Sequence, residues 1–186
     1  KIIDRLEARV NKEKYLNTNE LNTILKDEIG IILAENNTKD LIDEINDYRV
    51  SYYVNDKNYD RSYSRNRGIS IAQGKFVTFL DSDDLLLPNC LQDAYNFHIQ
   101  NPEVLMFYSN YEITDEQGTV IPYTTFSKYP NSLQNILYGN FLACIGVFVE
   151  KKLIKGNPFD TTAFLIGSED WELWIRIISQ IKSLGH

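Results

Sequence analysis

The run Phe76-Val77-Thr78-Phe79-Leu80-Asp81-Ser82-Asp83-Asp84 passes without a spacer from apolar strand residues to three carboxylates. Val77, Phe79 and Leu80 read as a strand buried on both faces, the kind found where helices cover a sheet from both sides. In an open sheet of that kind, ligands bind just beyond the carboxyl ends of the strands. Asp81, Asp83 and Asp84 therefore stand where a site is expected. Crowded carboxylates repel one another unless they are solvated, partly protonated or bridged by a hard cation such as Mg2+, Mn2+ or Ca2+. On these residues alone a second reading stays open, because Asp ahead of a helix near Pro88 is ordinary capping chemistry.

The rest of the chain alternates strand and helix patterns, which predicts an α/β domain with a mostly parallel sheet flanked by helices. Lys1 to Lys26 is charged and helix-prone, with a helix-start pattern near Asn17-Thr18-Asn19-Glu20. Strands are expected at Ile29–Leu33, Val50–Val54, Phe76–Leu80, Val104–Tyr111 and Ala143–Glu150. Helices are expected at Lys39–Asp47, Ser62–Ala72, Pro88–Gln100 and Ser168–Leu184. Asp115-Glu116-Gln117-Gly118 reads as a hairpin turn and Tyr123 to Asn131 as a loop. No repeat or linker interrupts residues 1–186, so the expectation is a single domain.

Composition narrows the function classes. At 186 residues and 43% apolar, the chain can bury a full core. A net charge of -7 argues against a nucleic-acid groove or an anionic membrane surface as the main partner, since both call for a basic footprint. Cys90 and Cys144 lie far apart in apolar contexts without metal-site spacing, and read as reduced core residues of a cytosolic compartment. The longest apolar run, Phe141 to Val149, is too short to cross a bilayer. The chain opens on Lys1 rather than Met, so a piece truncated at one or both ends of a longer protein is expected.

Two blocks carry a more specific pattern. The first is Ser64-Arg65-Asn66-Arg67-Gly68-Ile69, then Ala72-Gln73-Gly74-Lys75, then Phe79-Leu80-Asp81-Ser82-Asp83-Asp84 and Pro88. The second is Phe159-Asp160, a spacer, and Ser168-Glu169-Asp170-Trp171-Glu172-Leu173-Trp174-Ile175-Arg176. Together, in this order, they resemble the family 2 glycosyltransferases with the GT-A fold, a Rossmann-like architecture. The resemblance covers roughly Ile29 to Ile178.

That resemblance implies an inverting, metal-dependent transfer of a sugar from a nucleotide-diphosphate donor, a UDP-sugar, to a hydroxyl. Asp81-Ser82-Asp83 matches the family's Asp-x-Asp motif, with Asp83 the first choice for Mn2+ or Mg2+ and Asp81 and Asp84 in support. Asp170 matches the family's general base. Arg65 matches an arginine near the base or phosphates of the donor. Where the family carries a pair of aspartates at the base pocket, this chain has Glu35 and Asn36, either of which can accept from the uracil N3 proton. The usual first strand and its turn are not clear before Asn11. By analogy the acceptor is a carbohydrate, lipid-linked or protein hydroxyl in bacterial surface polysaccharide or glycoconjugate assembly. The expected location is the cytoplasm, with any contact to the inner membrane face made through regions outside this chain.

Duller readings stand beside these. Asp170 can be an acidic first-turn residue favoured by the helix dipole, Arg65 a surface helix residue, and Glu35 and Asn36 turn formers. Trp171 and Trp174 read as packing rather than a sugar platform, and His98 and His186 receive no role. A sugar-nucleotide nucleotidyltransferase would share the fold but calls for a Gly-rich basic phosphate loop, which is not visible. A non-catalytic carbohydrate- or metal-binding module leaves Glu169-Asp170 unexplained.

Overall fold

A computed structural model of the chain describes residues 29–33 (backbone only), 53, 55–57, 59–81, 84–115, 117–122 and 133–186. Its core is a four-stranded sheet in the order β1-β2-β6-β3, built from β1 (Ile29–Leu33), β2 (Phe76–Leu80), β6 (Val147–Glu150) and β3 (Met106–Tyr108). A separate hairpin pairs β4 (Ile113–Thr114) with β5 (Val120–Ile121). The helices are α1 (Arg61–Ile71), α2 (Cys90–Gln100), α3 (Leu133–Tyr138), α4 (Lys151–Gly156) and α5 (Glu169–Ile178), with a 3-10 turn at Ala163–Leu165.

β2 behaves as its sequence predicts, with all five residues buried. Its side chains alternate between two cores, as a strand's period of two requires. Val77 and Phe79 join Ile69, Ile136, Ile154, Leu173, Trp174 and Ile177 beneath α1, α3, α4 and α5. Phe76 and Leu80 join Leu91, Ala94, Phe107 and Phe148 on the face covered by α2. Burying side chains of this size contributes about 1.5–3 kcal/mol each, so α5, which buries Leu173, Trp174, Ile177 and Ile178, is held by its apolar face.

The sheet is less uniform than a mostly parallel one. β1 and β2 pair in parallel, whereas β6 runs antiparallel to both β2 and β3. The chain returns to β6 at the edge where β3 ends, as the Ser109 N–H bond to the Gly146 carbonyl at 2.9 Å shows, so β6 must run back down the sheet.

That turn also shortens the expected Ala143–Glu150 strand. Gly146 adopts φ +80, and a Cβ there would lie 2.9 Å from Ser109 Oγ, so the strand starts only at Val147. α5 ends at Ile178 rather than Leu184 because the chain leaves the helix to bond with β3. Gly185 donates to the Met106 carbonyl at 3.0 Å and accepts from the Tyr108 N–H at 3.1 Å. Phe97 and Phe107 leave no room for a side chain at Gly185.

β3 is shorter than Val104–Tyr111, and α2 starts at Cys90 rather than Pro88. α3 and α4 have too few periodic apolar positions to show in the sequence. The hairpin turn forms as expected, with Gly118 at φ +83 and Asp115 accepting the Thr119 N–H at 2.8 Å. Both cysteines are free, and burial pushes the Cys144 thiol up, keeping it protonated. The elements expected before Ile29 and over Lys39–Asp47 lie outside the described residues, as do Tyr123–Asn131 and most of Val50–Val54.

Candidate active site

Asp81 follows the last residue of β2, and the Asp84 N–H donates to its carbonyl at 3.1 Å, holding these two acidic residues at the carboxyl edge of the sheet. α1 leads through Gly74 and Lys75 into the opposite end of β2, so its first turn stands at the same edge as Asp81. From the start of the next turn Arg65 reaches inward, with its side chain only 2% exposed. One terminal nitrogen, Nη2, donates to both Asp81 oxygens at 3.0 and 3.1 Å. The other, Nη1, donates to Glu169 Oε1 at 3.2 Å. The guanidinium lies 5.5 Å from the Phe159 ring centre and 5.9 Å from that of Phe79, where aromatic faces favour a cation. Burial opposes its charge, while the surrounding groups, the Asp81 and Glu169 carboxylates among them, favour it, and Arg65 is held above its ordinary value and stays charged.

Glu169 is the junction of this network. Only 3% exposed, it also accepts from the Gly167 N–H at 2.8 Å and pairs with Arg61 at 3.3 Å. Asn66, next to Arg65, forms a second bridge: it donates to the Phe159 carbonyl and accepts from the Phe159 N–H, both at 2.8 Å. The adjacent Arg65 and Asn66 thus tie the first sequence block to both parts of the second. Asp60, the N-cap of α1, is at φ 112 and ψ 160, a region that side chains rarely enter.

Asp170 sits in the first turn of α5, beside Glu169. Its Oδ1 accepts from the Trp171 N–H at 2.7 Å and its Oδ2 from Asn140 Nδ2 at 3.3 Å. Burial raises its carboxyl above the ordinary value, and neighbouring Glu169 adds to the rise, while the Trp171 N–H, Arg65 and Asn140 pull against it. A half-buried carboxylate raised in this way is better matched to taking a proton near neutral pH than a fully solvated one. Trp171 packs at the rim and donates its indole N–H to the Ile136 carbonyl at 2.6 Å, and Trp174 is fully buried; both are packing residues, as expected.

Of the residues singled out in sequence, the structure joins Arg65 to Asp81 directly and to the Glu169-Asp170 pair. Glu35, Asn36 and Asp83 lie outside the described residues. Among the described residues, no three His, Cys, Asp or Glu side chains gather as a metal site. Sequence reasoning included Glu169 and Asn66 in the two blocks without giving either a place in the site, and passed over Arg61 and Asn140. An acidic residue directly ahead of Asp170 was a signal for Glu169, but nothing local marks Asn140.

The family model for glycosyl transferase family 2 matches residues 11–150. An uncharacterized glycosyltransferase of Methanocaldococcus jannaschii is 29% identical over 90% of this chain and 61% of its own length. A second relative is the Escherichia coli UDP-Glc:alpha-D-GlcNAc-diphosphoundecaprenol beta-1,3-glucosyltransferase WfgD. It is 29% identical, over 78% of this chain and 54% of its own length. The chain thus spans less than two thirds of either relative. A crystal structure of S. aureus TarS 1-349 in complex with UDP-GlcNAc superposes with a TM-score of 0.61 at 20% identity, covering 88% of this chain and 50% of that one. That likeness shows the fold, which is GT-A. Because the family pattern extends from before β1 to the end of β6, the chain belongs to glycosyl transferase family 2.

Proposed function

We infer that the chain carries out inverting transfer of a sugar from a UDP-sugar to a hydroxyl acceptor. The observation that carries this reading is Arg65, buried between Asp81 at the end of β2 and Glu169 beside Asp170, so that the two sequence blocks share one charged centre. Asp170 is the general base. Its ionised carboxylate takes the proton from the acceptor hydroxyl as the oxygen attacks the anomeric carbon. The bond to the donor diphosphate breaks on the opposite face, which inverts the anomeric configuration, and the electron pair leaves with UDP. Asp81 and Arg65 set the donor side, and Glu35 and Asn36 are the candidates for the base pocket.

The donor atoms fit a hard divalent ion, since Asp81, Asp83 and Asp84 offer only carboxylate oxygens. Because Arg65 already balances Asp81, Asp83 and Asp84 would hold Mn2+ or Mg2+, with Asp81 in support. When bound, that ion supplies positive charge against the diphosphate as it departs. The name of the E. coli relative and the ligand of the S. aureus structure support a UDP-sugar donor. The same relative's name, with its GlcNAc-diphosphoundecaprenol acceptor, supports a lipid-linked acceptor; the proposed setting is bacterial surface polysaccharide assembly at the cytoplasmic face of the membrane. No described helix is long and apolar enough to cross a membrane.

The test is nucleotide release from UDP-, GDP-, dTDP- and CMP-sugars with Mn2+ or Mg2+, run with UDP and CDP as competitors. Release from a UDP-sugar and better competition by UDP than CDP are expected, because cytosine lacks the N3 proton that Glu35 or Asn36 would accept. Preference for another nucleotide, or equal competition by UDP and CDP, would overturn the donor assignment.

A further inference from the structure

A proton acceptor works only if its carboxylate is held with a free lone pair toward the hydroxyl, so what holds Asp170 matters to the reaction. One oxygen, Oδ1, is occupied by the Trp171 N–H from its own helix. The other, Oδ2, is met by one side chain from another element, Asn140 Nδ2 at 3.3 Å. The Asn140 amide cannot be turned the other way round without loss, because its Oδ1 accepts from the Leu142 N–H at 3.1 Å. This bond directs the NH2 group at Asp170 and defines which end of the amide is the donor.

Asn140 itself is exposed, yet it is firmly planted. The two residues after it, Phe141 and Leu142, are 4% and 1% exposed in the core under the sheet. On its other side, α3 is tied to α5 by the Trp171 indole bond to the Ile136 carbonyl at 2.6 Å. Segment 136–142 is therefore stitched to the first turn of α5 through residues 170 and 171.

Resting on the reading of Asp170 as the base, we propose that Asn140 is a positioning residue that fixes the Asp170 carboxylate for proton transfer. Asn140 donates to the ionised carboxylate and has no equivalent bond to give the protonated oxygen, so it favours the form that acts as a base. The other charged groups acting on Asp170 are Glu169, which raises its titration, and Arg65, which lowers it. Cys144 nearby remains an uncharged thiol.

Two substitutions separate this role from a structural one. Asn140→Ala loses both bonds. Asn140→Asp keeps an acceptor for the Leu142 N–H and puts a carboxylate where the donor was. Turnover, donor KM and its pH profile are measured for both beside wild type and Asp170→Asn. The Asp170 carboxyl is titrated by 13C NMR in the substrate-free protein, its signal assigned by its absence from Asp170→Asn.

Asn140→Ala is expected to lower kcat by about 10-fold, through loss of the carboxylate's alignment with the acceptor hydroxyl rather than of its basicity. Donor KM stays near wild type, and Asp170 titrates at higher pH. Asn140→Asp is expected to lose more than the Ala variant and to move Asp170 further up. Asn140→Asp at wild-type kcat with an unmoved Asp170 titration would show that Asn140 only caps Leu142 and would overturn the proposal. If Asp170→Asn turns over normally, the base assignment falls and this proposal with it. If Asp170→Asn is inactive while both Asn140 variants match wild type, the Asn140 proposal alone falls.

Discussion

Replacing Arg65 by Met removes the one cation shared by two carboxylates while keeping a side chain of similar reach. The consequences differ for the two partners. The Asp81 side chain is 35% exposed, so water can take the place of the guanidinium, and its share is that of a surface pair, about 0–1 kcal/mol. The Glu169 side chain is 5% exposed and would keep only the Gly167 N–H and Arg61, whose own side chain is 52% exposed. Breaking a buried pair costs about 3–5 kcal/mol when nothing replaces the lost partner, and the half-exposed Arg61 offsets only part of that here. Against a total stability of roughly 5–15 kcal/mol, Arg65→Met is expected to fold only marginally.

The double variant Arg65→Met, Glu169→Met removes both buried charges. Apolar replacement of a whole buried pair is often close to neutral, so the double should regain about 2 kcal/mol or more over Arg65→Met alone. Urea unfolding followed by circular dichroism, with an unchanged m-value, reads both quantities, and the double-mutant cycle isolates the coupling. A loss below about 1 kcal/mol for Arg65→Met, or a double variant as unstable as the sum of the singles, would refute the reasoning from burial.

Asp170→Asn is expected to lower turnover by about 10²- to 10⁴-fold with nucleotide affinity nearly unchanged, and to lose the acid limb of the pH-rate profile. Burial raises the Asp170 carboxyl in the folded state, so its contribution to stability is present below the ordinary carboxylate value and lost as pH rises through the raised one. The Asn variant should therefore melt no lower than wild type at neutral pH; a clear drop in melting temperature would contradict this. Asp83→Ala is expected to abolish Mn2+-dependent nucleotide binding in calorimetry, and unchanged affinity with an unchanged response to EDTA would remove Asp83 from the metal site. Asp60→Gly should raise stability by about 1 kcal/mol in thermal unfolding, because φ 112 with ψ 160 is open to glycine at little cost; no gain would mean that its capping bond to the Arg61 N–H outweighs the strain.

The local code determined the elements that are strongly periodic or sharply punctuated. β2 could be read from five consecutive buried residues, α1 from its stop before Gly74, and the β4–β5 turn from Asp115 and Gly118. The two blocks of motif residues were legible as well, including the placing of Asp170 in a helix's first turn. Tertiary structure alone decided what depends on distant partners. α5 ends early because Gly185 must pair with β3, a contact its own periodicity cannot contain. Arg65 had an ordinary reading as a surface helix residue, and burial between Asp81 and Glu169 makes it instead the bond between the two blocks. Asn140 carries no local mark at all. Its relation to Asp170 exists because α3 packs on α5, and a hydrogen bond between residues thirty positions apart is written in the packing rather than in either segment.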